Sequence, residues 1–193
     1  MTGDLASALK HAAAALEHLR IPYLIGGSVA SSVHGIPRST RDIDIVARIS
    51  PQQTESFAKA LGSDWYADSD QMREAIRFGR SFNIVYMPSS DKIDIFPAVD
   101  DFHGMQLERA SRIALSFLDI EEQYPVASAE DIVLAKLRWY RDGGKVSERQ
   151  WTDIGDLLEA NPKIDREYLH SWAMRLGVED LLNSALAAAE SGE

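Results

Sequence analysis

The chain reads as an α+β protein, a small mixed sheet flanked by helices over residues 1–125 followed by a helical subdomain over residues 126–193. Three observations lead there. Short runs of β-branched and aromatic residues at Ile21–Ile25, Asp42–Val46, Phe82–Met87 and Lys92–Phe96 read as strands. Leu5, Leu9, Ala12, Leu16 and Leu19 recur at spacings of four and three, the stripe of an amphipathic helix over 4–20. From Ser128 onward the helical period runs almost to the end.

Each element has a local cause. Pro22 stops the first helix, and Ile21–Ile25 is a buried strand that ends at Gly26-Gly27. Ser28 to His34 is small and partly apolar, able to form a short helix capped by Ser28 or its neighbour and closed by Gly35 and Pro37. Residues 51–61 and 70–78 read as helices. Phe82–Met87 and Lys92–Phe96, joined by Pro88-Ser89-Ser90-Asp91, read as an antiparallel hairpin. Ser128-x-x-Asp131 is a capping-box variant opening a helix over 129–142, with further helices over 148–160, 165–175 and 178–190.

Composition removes several function classes. The sequence has no cysteine, so a disulfide framework, a thiolate zinc site and a cysteine nucleophile are excluded, and a reducing cytoplasm is the expected location. Asp4, Lys10, His11 and Glu17 interrupt any signal-peptide pattern, and no apolar run approaches the roughly 20 residues that cross a bilayer, so no membrane partner is expected. The five histidines show no metal-ligand spacing, and His34 reads as structural. The net charge is −10, with 18 acidic against 10 basic residues from 101 onward. That balance weakens bulk attraction to nucleic acid without excluding a local basic groove.

The chemistry-bearing residues are carboxylates. In Asp42-Ile43-Asp44-Ile45-Val46 the alternation puts both aspartates on one face of a strand and both isoleucines on the other. Asp94, in Lys92-Ile93-Asp94-Ile95-Phe96, has the same setting, and strand alternation favours it over Asp91 as a third carboxylate. Hard divalent cations such as magnesium want clustered carboxylate oxygens, and three such charges close together repel one another unless a cation is present. An Asp-x-Asp pair alone is most often a solvated face. Phosphatases and sugar-nucleotide transferases that use one place it after an apolar strand, whereas polar Ser39-Thr40-Arg41 precedes it here. Gly26-Gly27-Ser28 adds a turn whose backbone can approach phosphates, at the start of a helix whose N–H groups and dipole favour anions.

Together, Gly26-Gly27-Ser28-x-Ala30 and Gly35-x-x-Arg38-x-Thr40-x-Asp42-Ile43-Asp44 resemble the polymerase-β-type nucleotidyltransferases, most closely the AbiEii-like group associated with abortive infection and toxin-antitoxin pairs. The resemblance implies the nucleotidyltransferase fold, with Gly26, Gly27 and Ser28 at a nucleoside triphosphate. It also implies Asp42, Asp44 and Asp94 on magnesium, Asp94 being the base for an acceptor hydroxyl. Lys136-x-x-x-x-Arg141 and Asp153 resemble the group's later motifs. Arg38 and Arg41 flank the acidic strand, and only the resemblance favours Arg38 as a phosphate ligand.

Lys136 is notable on its own. At 100° per residue it falls about 40° from Ile132 and Tyr140, on the apolar side of its helix. A lysine there wants a phosphate or an acid such as Asp153, or else it snorkels to the surface. Arg138, Arg141 and Lys145 fall on another face, read as solvated. Trp139, Tyr140 and Trp151 can stack on a base, although aromatics at helical spacing are usually core.

The expectation is therefore magnesium-dependent transfer of a nucleoside monophosphate from a triphosphate to a hydroxyl, with pyrophosphate released. The resemblance suggests an RNA end or protein side chain as acceptor and a cognate antitoxin as partner. Two rival readings are a small-molecule (antibiotic) nucleotidyltransferase and a non-catalytic nucleotide-binding module.

Overall fold

The structure is a computed structural model that describes residues 2–36 and 42–191. The described residues divide into two compact units, one formed by 2–29 with 42–126 and the other by 30–36 with 127–191.

The first unit is built on a seven-stranded mixed sheet. In chain order it holds α1 (Thr2–His18), β1 (Tyr23–Ile25), the start of α2 (Gly27–His34), β2 (Asp42–Ala47), α3 (Thr54–Leu61), β3 (Trp65–Tyr66), α4 (Ser69–Arg77), β4 (Phe82–Tyr86), β5 (Asp91–Pro97), α5 (Asp101–Arg109), β6 (Ser111–Leu115) and β7 (Ile120–Val126). The strand order is β3-β4-β5-β2-β1-β7-β6. Only β2 with β5 and β1 with β7 run parallel; the other neighbours are antiparallel.

Two-residue alternation decides what each face of the sheet does. Ile43, Ile45, Ile84, Ile93 and Ile95 stand on one face and are completely buried. Helix α1 packs on β5 and on α3, with Leu9, Ala12 and Leu16 fully buried, and α4 lies on β4. Each of these isoleucine and leucine side chains contributes about 1.5–3 kcal/mol by leaving water. The opposite face of β2 and β5 presents Asp42, Asp44, Lys92 and Asp94, all at least partly open to solvent.

The hairpin of β4 and β5 matches the sequence expectation, with Phe82 opposite Ile95 and Ile84 opposite Ile93. Helix α3 begins three residues later than expected because Pro51, Gln52 and Gln53 form a turn. Sequence pattern assigns no element at β3, α5, β6 or β7.

The second unit is helical: α6 (Ala129–Asp142), α7 (Glu148–Ala160), α8 (Arg166–Leu176) and α9 (Glu179–Ser191), joined by the end of α2. Its boundaries follow from capping. The side chains of Ser128, Ser147 and Asp165 accept hydrogen bonds from the backbone N–H groups of Asp131, Gln150 and Tyr168, and α8 stops at Gly177, which adopts the left-handed conformation with φ +67°. Leu134, Leu137, Ile154, Leu169, Ala173 and Leu182 form its core. Asp131 is fully buried there and accepts a 2.6 Å hydrogen bond from the Tyr168 hydroxyl. His34 contacts the Ala127 carbonyl at 2.7 Å through Nε2, a structural role.

Candidate active site

The acidic cluster arises from a parallel register. Because β2 and β5 pair Asp42 with Lys92 and Asp44 with Asp94, four charged side chains stand in two adjacent rows on one face. Neighbouring strands lie about 4.8 Å apart, so residues paired across them are direct neighbours. On the far side of β5, Asn83 of β4 pairs with Asp94 and extends the second row to Asn83, Asp94 and Asp44.

Asp91 is placed differently. It has the opposite parity in β5, and its carboxylate accepts a 2.6 Å hydrogen bond from the Ser89 hydroxyl within the hairpin turn.

Lys92 is the member of this face to which sequence reasoning gave no role. Its Nζ lies 2.8 Å from Asp94 Oδ2, and the two side chains are 40% and 23% exposed. The hydrogen bond to Asp94 is the main cause that raises the Lys92 pKa; burial opposes it, and the charges of Asp94, Asp42 and Asp44 add to the rise. One ammonium therefore feels all three carboxylates. Among the described residues, no three His, Cys, Asp or Glu side chains are grouped so as to hold a metal ion as they stand.

The glycine turn abuts the same cluster, and its two glycines have different duties. Gly26 donates its backbone N–H to the Asp44 carbonyl at 2.9 Å, so that donor is spent on sheet pairing. A Cβ on Gly26 would meet only ordinary contacts, at 3.9 Å from Leu24 and 4.0 Å from the Asp44 carbonyl oxygen. Gly27 has φ +52°, and a Cβ there would overlap the Asp44 carboxylate and come within 2.8 Å of the Asp44 Cβ. The first turn of α2 and the Asp44 side chain thus share a space that only glycine leaves open. Ser28 follows inside the helix.

The donor types are those a divalent cation takes, carboxylate oxygens on strands, but the three carboxylates are not gathered closely enough to hold one as they stand, and one of them pairs with the Lys92 ammonium.

In the helical unit, Lys136 Nζ donates to Asp153 Oδ2 at 2.9 Å, with side chains only 13% and 14% exposed. Asp153 is thus a partner of Lys136, as the sequence allowed. Arg141 is 35% exposed, and its guanidinium also donates to the Leu176 carbonyl and, at 3.5 Å, to that of Gly177 at the end of α8. Tyr140 and Trp151 pack with ring centroids 5.2 Å apart, and Trp139 is 54% exposed beside a recess lined by Tyr140, Asp142, Ser147 and Gln150. Arg38, the phosphate ligand suggested by resemblance, lies outside the described residues.

A family model described as "Nucleotidyl transferase AbiEii toxin, Type IV TA system" matches residues 7–185. No curated protein sequence matches the chain. Among solved structures, the solution structure of the antibiotic-resistance factor ANT(2'')-Ia is similar over 100% of this chain and 98% of its own, with TM-score 0.55 and 14% identity. A crystal structure of ANT(2'')-Ia in complex with adenylyl-2''-tobramycin is similar over 88% of this chain and 95% of its own, with TM-score 0.52 and 14% identity. An antigenic nucleotidyltransferase-like protein from Paracoccidioides brasiliensis is similar over 95% of this chain and 92% of its own, with TM-score 0.52 and 21% identity. At these identities the likenesses establish a shared fold.

Proposed function

The chain belongs to the AbiEii nucleotidyl transferase family, and from that premise we propose that it transfers a nucleoside monophosphate from a magnesium-bound triphosphate to a hydroxyl. It is a nucleotidyltransferase with the mixed α/β fold of that enzyme class. The observation that carries the finer reading is the register that sets Asp44 beside Asp94, with Gly27 pressed against the Asp44 carboxylate.

In this reading Asp42, Asp44 and Asp94 hold magnesium. Bound magnesium would supply charge neutralisation for the triphosphate and a lowered pKa for the attacking hydroxyl. Gly27 and Ser28 receive the phosphates, where the absence of a side chain on Gly27 permits close approach and the start of α2 favours negative charge. Asp94 accepts the hydroxyl proton as the acceptor oxygen bonds to the α-phosphorus. The bond from that phosphorus to the bridging oxygen breaks, and the electron pair leaves with pyrophosphate. The carboxylates stand on adjacent strands of a packed sheet, so the backbone that carries them is fixed and only their side chains need to gather round the ion. Gly26 serves by shaping the turn, its own N–H being used by Asp44. Lys136, Asp153 and Arg38 remain in the proposal as nucleotide-binding residues through the family resemblance.

We propose a cognate antitoxin as partner, following the family's description as a toxin of a toxin-antitoxin system, and an RNA end or a protein side chain as acceptor, which only the sequence resemblance suggests. Among the described residues no helix is long and apolar enough to cross a membrane. The reading is tested by incubating the protein with each of the four triphosphates, labelled at the α-phosphate, with magnesium and cell extract. Label entering RNA or protein with pyrophosphate released is the expected result. Label confined to small molecules would instead support an antibiotic-type acceptor, and triphosphate bound without any pyrophosphate over hours would refute turnover.

A further inference from the structure

We propose that Lys92 is a counter-cation of the carboxylate cluster, that a divalent metal enters by exchanging with its ammonium on Asp94, and that the released ammonium then pairs with the triphosphate. The inference rests on the metal reading of Asp42, Asp44 and Asp94 given above.

Parity and register place Lys92 among the acids. Alternation in β5 puts Lys92 and Asp94 on one face, and parallel pairing with β2 puts Lys92 next to Asp42 and Asp94 next to Asp44. One lysine therefore occupies a corner of a four-residue patch whose other corners are acids. Three carboxylates on adjacent strands repel one another, and a single ammonium offsets one of their three charges. The Nζ engages Asp94 Oδ2 at 2.8 Å, a lone pair of the carboxylate assigned to the metal.

A magnesium ion needs its oxygen ligands at about 2.1 Å and in near-octahedral geometry. An ammonium on the same carboxylate repels the ion and holds one of its ligand sites. The two cations are therefore alternatives on Asp94. Lys92 is suited to leave, because its side chain is 40% exposed and its four-carbon stem lets the charge swing without moving the strand. Once the metal takes Asp94, the triphosphate carried by that metal offers this ammonium a new anion, and a lysine pairs with phosphate as a point charge.

The test uses the full chain with Lys92→Met, which keeps the stem and removes the charge. Magnesium chloride is titrated in by calorimetry without nucleotide, and the signal is the heat that Asp44→Asn abolishes. Loss of a competing, partly exposed ion pair should tighten magnesium by roughly fivefold. The exchange also predicts that Lys92→Met binds magnesium tripolyphosphate several-fold more weakly than the parent, and that Lys92→Arg, which retains the charge, keeps the parent's magnesium affinity. Lys92→Gln provides the same comparison should the methionine variant fold poorly. Equal, measurable magnesium affinity in the parent and both neutral variants would overturn the role of Lys92 alone. Absence of any Asp44-dependent magnesium binding in the parent and the variants would overturn this inference and the metal reading together.

Discussion

Gly27→Ala tests the closest contact in the candidate active site. The new residue must hold φ +52°, a left-handed backbone that costs a non-glycine residue about 1–2 kcal/mol. Its methyl also overlaps the Asp44 carboxylate, so the aspartate must leave its rotamer at a further cost of about 0.5–1.5 kcal/mol. The total is about 1.5–3.5 kcal/mol, equivalent to roughly 3–14 °C in Tm for a chain of this size. Gly26→Ala is the internal control, because its Cβ meets nothing nearer than 3.9 Å and its φ is not left-handed. Differential scanning calorimetry of both variants, paired with pyrophosphate release in the presence of magnesium, reads the two consequences. Gly27→Ala should lose stability and activity together, since it displaces a carboxylate assigned to the metal. A Gly27→Ala protein as stable and as active as Gly26→Ala would refute the reasoning.

Other variants probe separate links. Asp153→Leu leaves the Lys136 ammonium, only 13% exposed, without its carboxylate, and should cost about 3 kcal/mol by urea unfolding; the double change Lys136→Met with Asp153→Leu should recover most of it. Failure of the second change to restore stability would show that the pair is not the cause. Ile93→Ala removes a fully buried side chain from the sheet beneath Lys92 and Asp94, and should cost about 2–5 kcal/mol in the same assay, against under 1 kcal/mol for an exposed alanine substitution such as Asn83→Ala.

The helical half was legible almost residue by residue, because its period and its caps agree: Ser128 and Ser147 accept from the third residue of their helices, and Gly177 supplies the left-handed stop. The hairpin and the short β1 were legible for a similar reason, since turn residues bound each apolar run. In contrast, β7 carries Glu121, Glu122 and Pro125, which read against a strand. It is tolerated because its contact with β1 is limited to Val126 opposite Ile25, so most of that edge asks for no N–H partner from it. At the candidate site, alternation put Asp42 and Asp44 on one face of their strand, whereas Asp94 joins them only through the pairing of β5 with β2. The role of Lys92 was hidden because its proximity to Asp42 depends on the parallel register of β2 and β5, which separates them by fifty residues of chain. The unequal duties of Gly26 and Gly27 were hidden for the same kind of reason: only the placement of Asp44 against the second distinguishes them.

The central claim, that Asp42, Asp44 and Asp94 support metal-dependent nucleotidyl transfer, is tested most directly by Asp44→Ala. With magnesium, a triphosphate and cell extract, the parent should release pyrophosphate and transfer label, whereas Asp44→Ala should do neither while unfolding within about 1 kcal/mol of the parent, because a partly exposed carboxylate contributes little packing. Undiminished pyrophosphate release by folded Asp44→Ala would contradict the account.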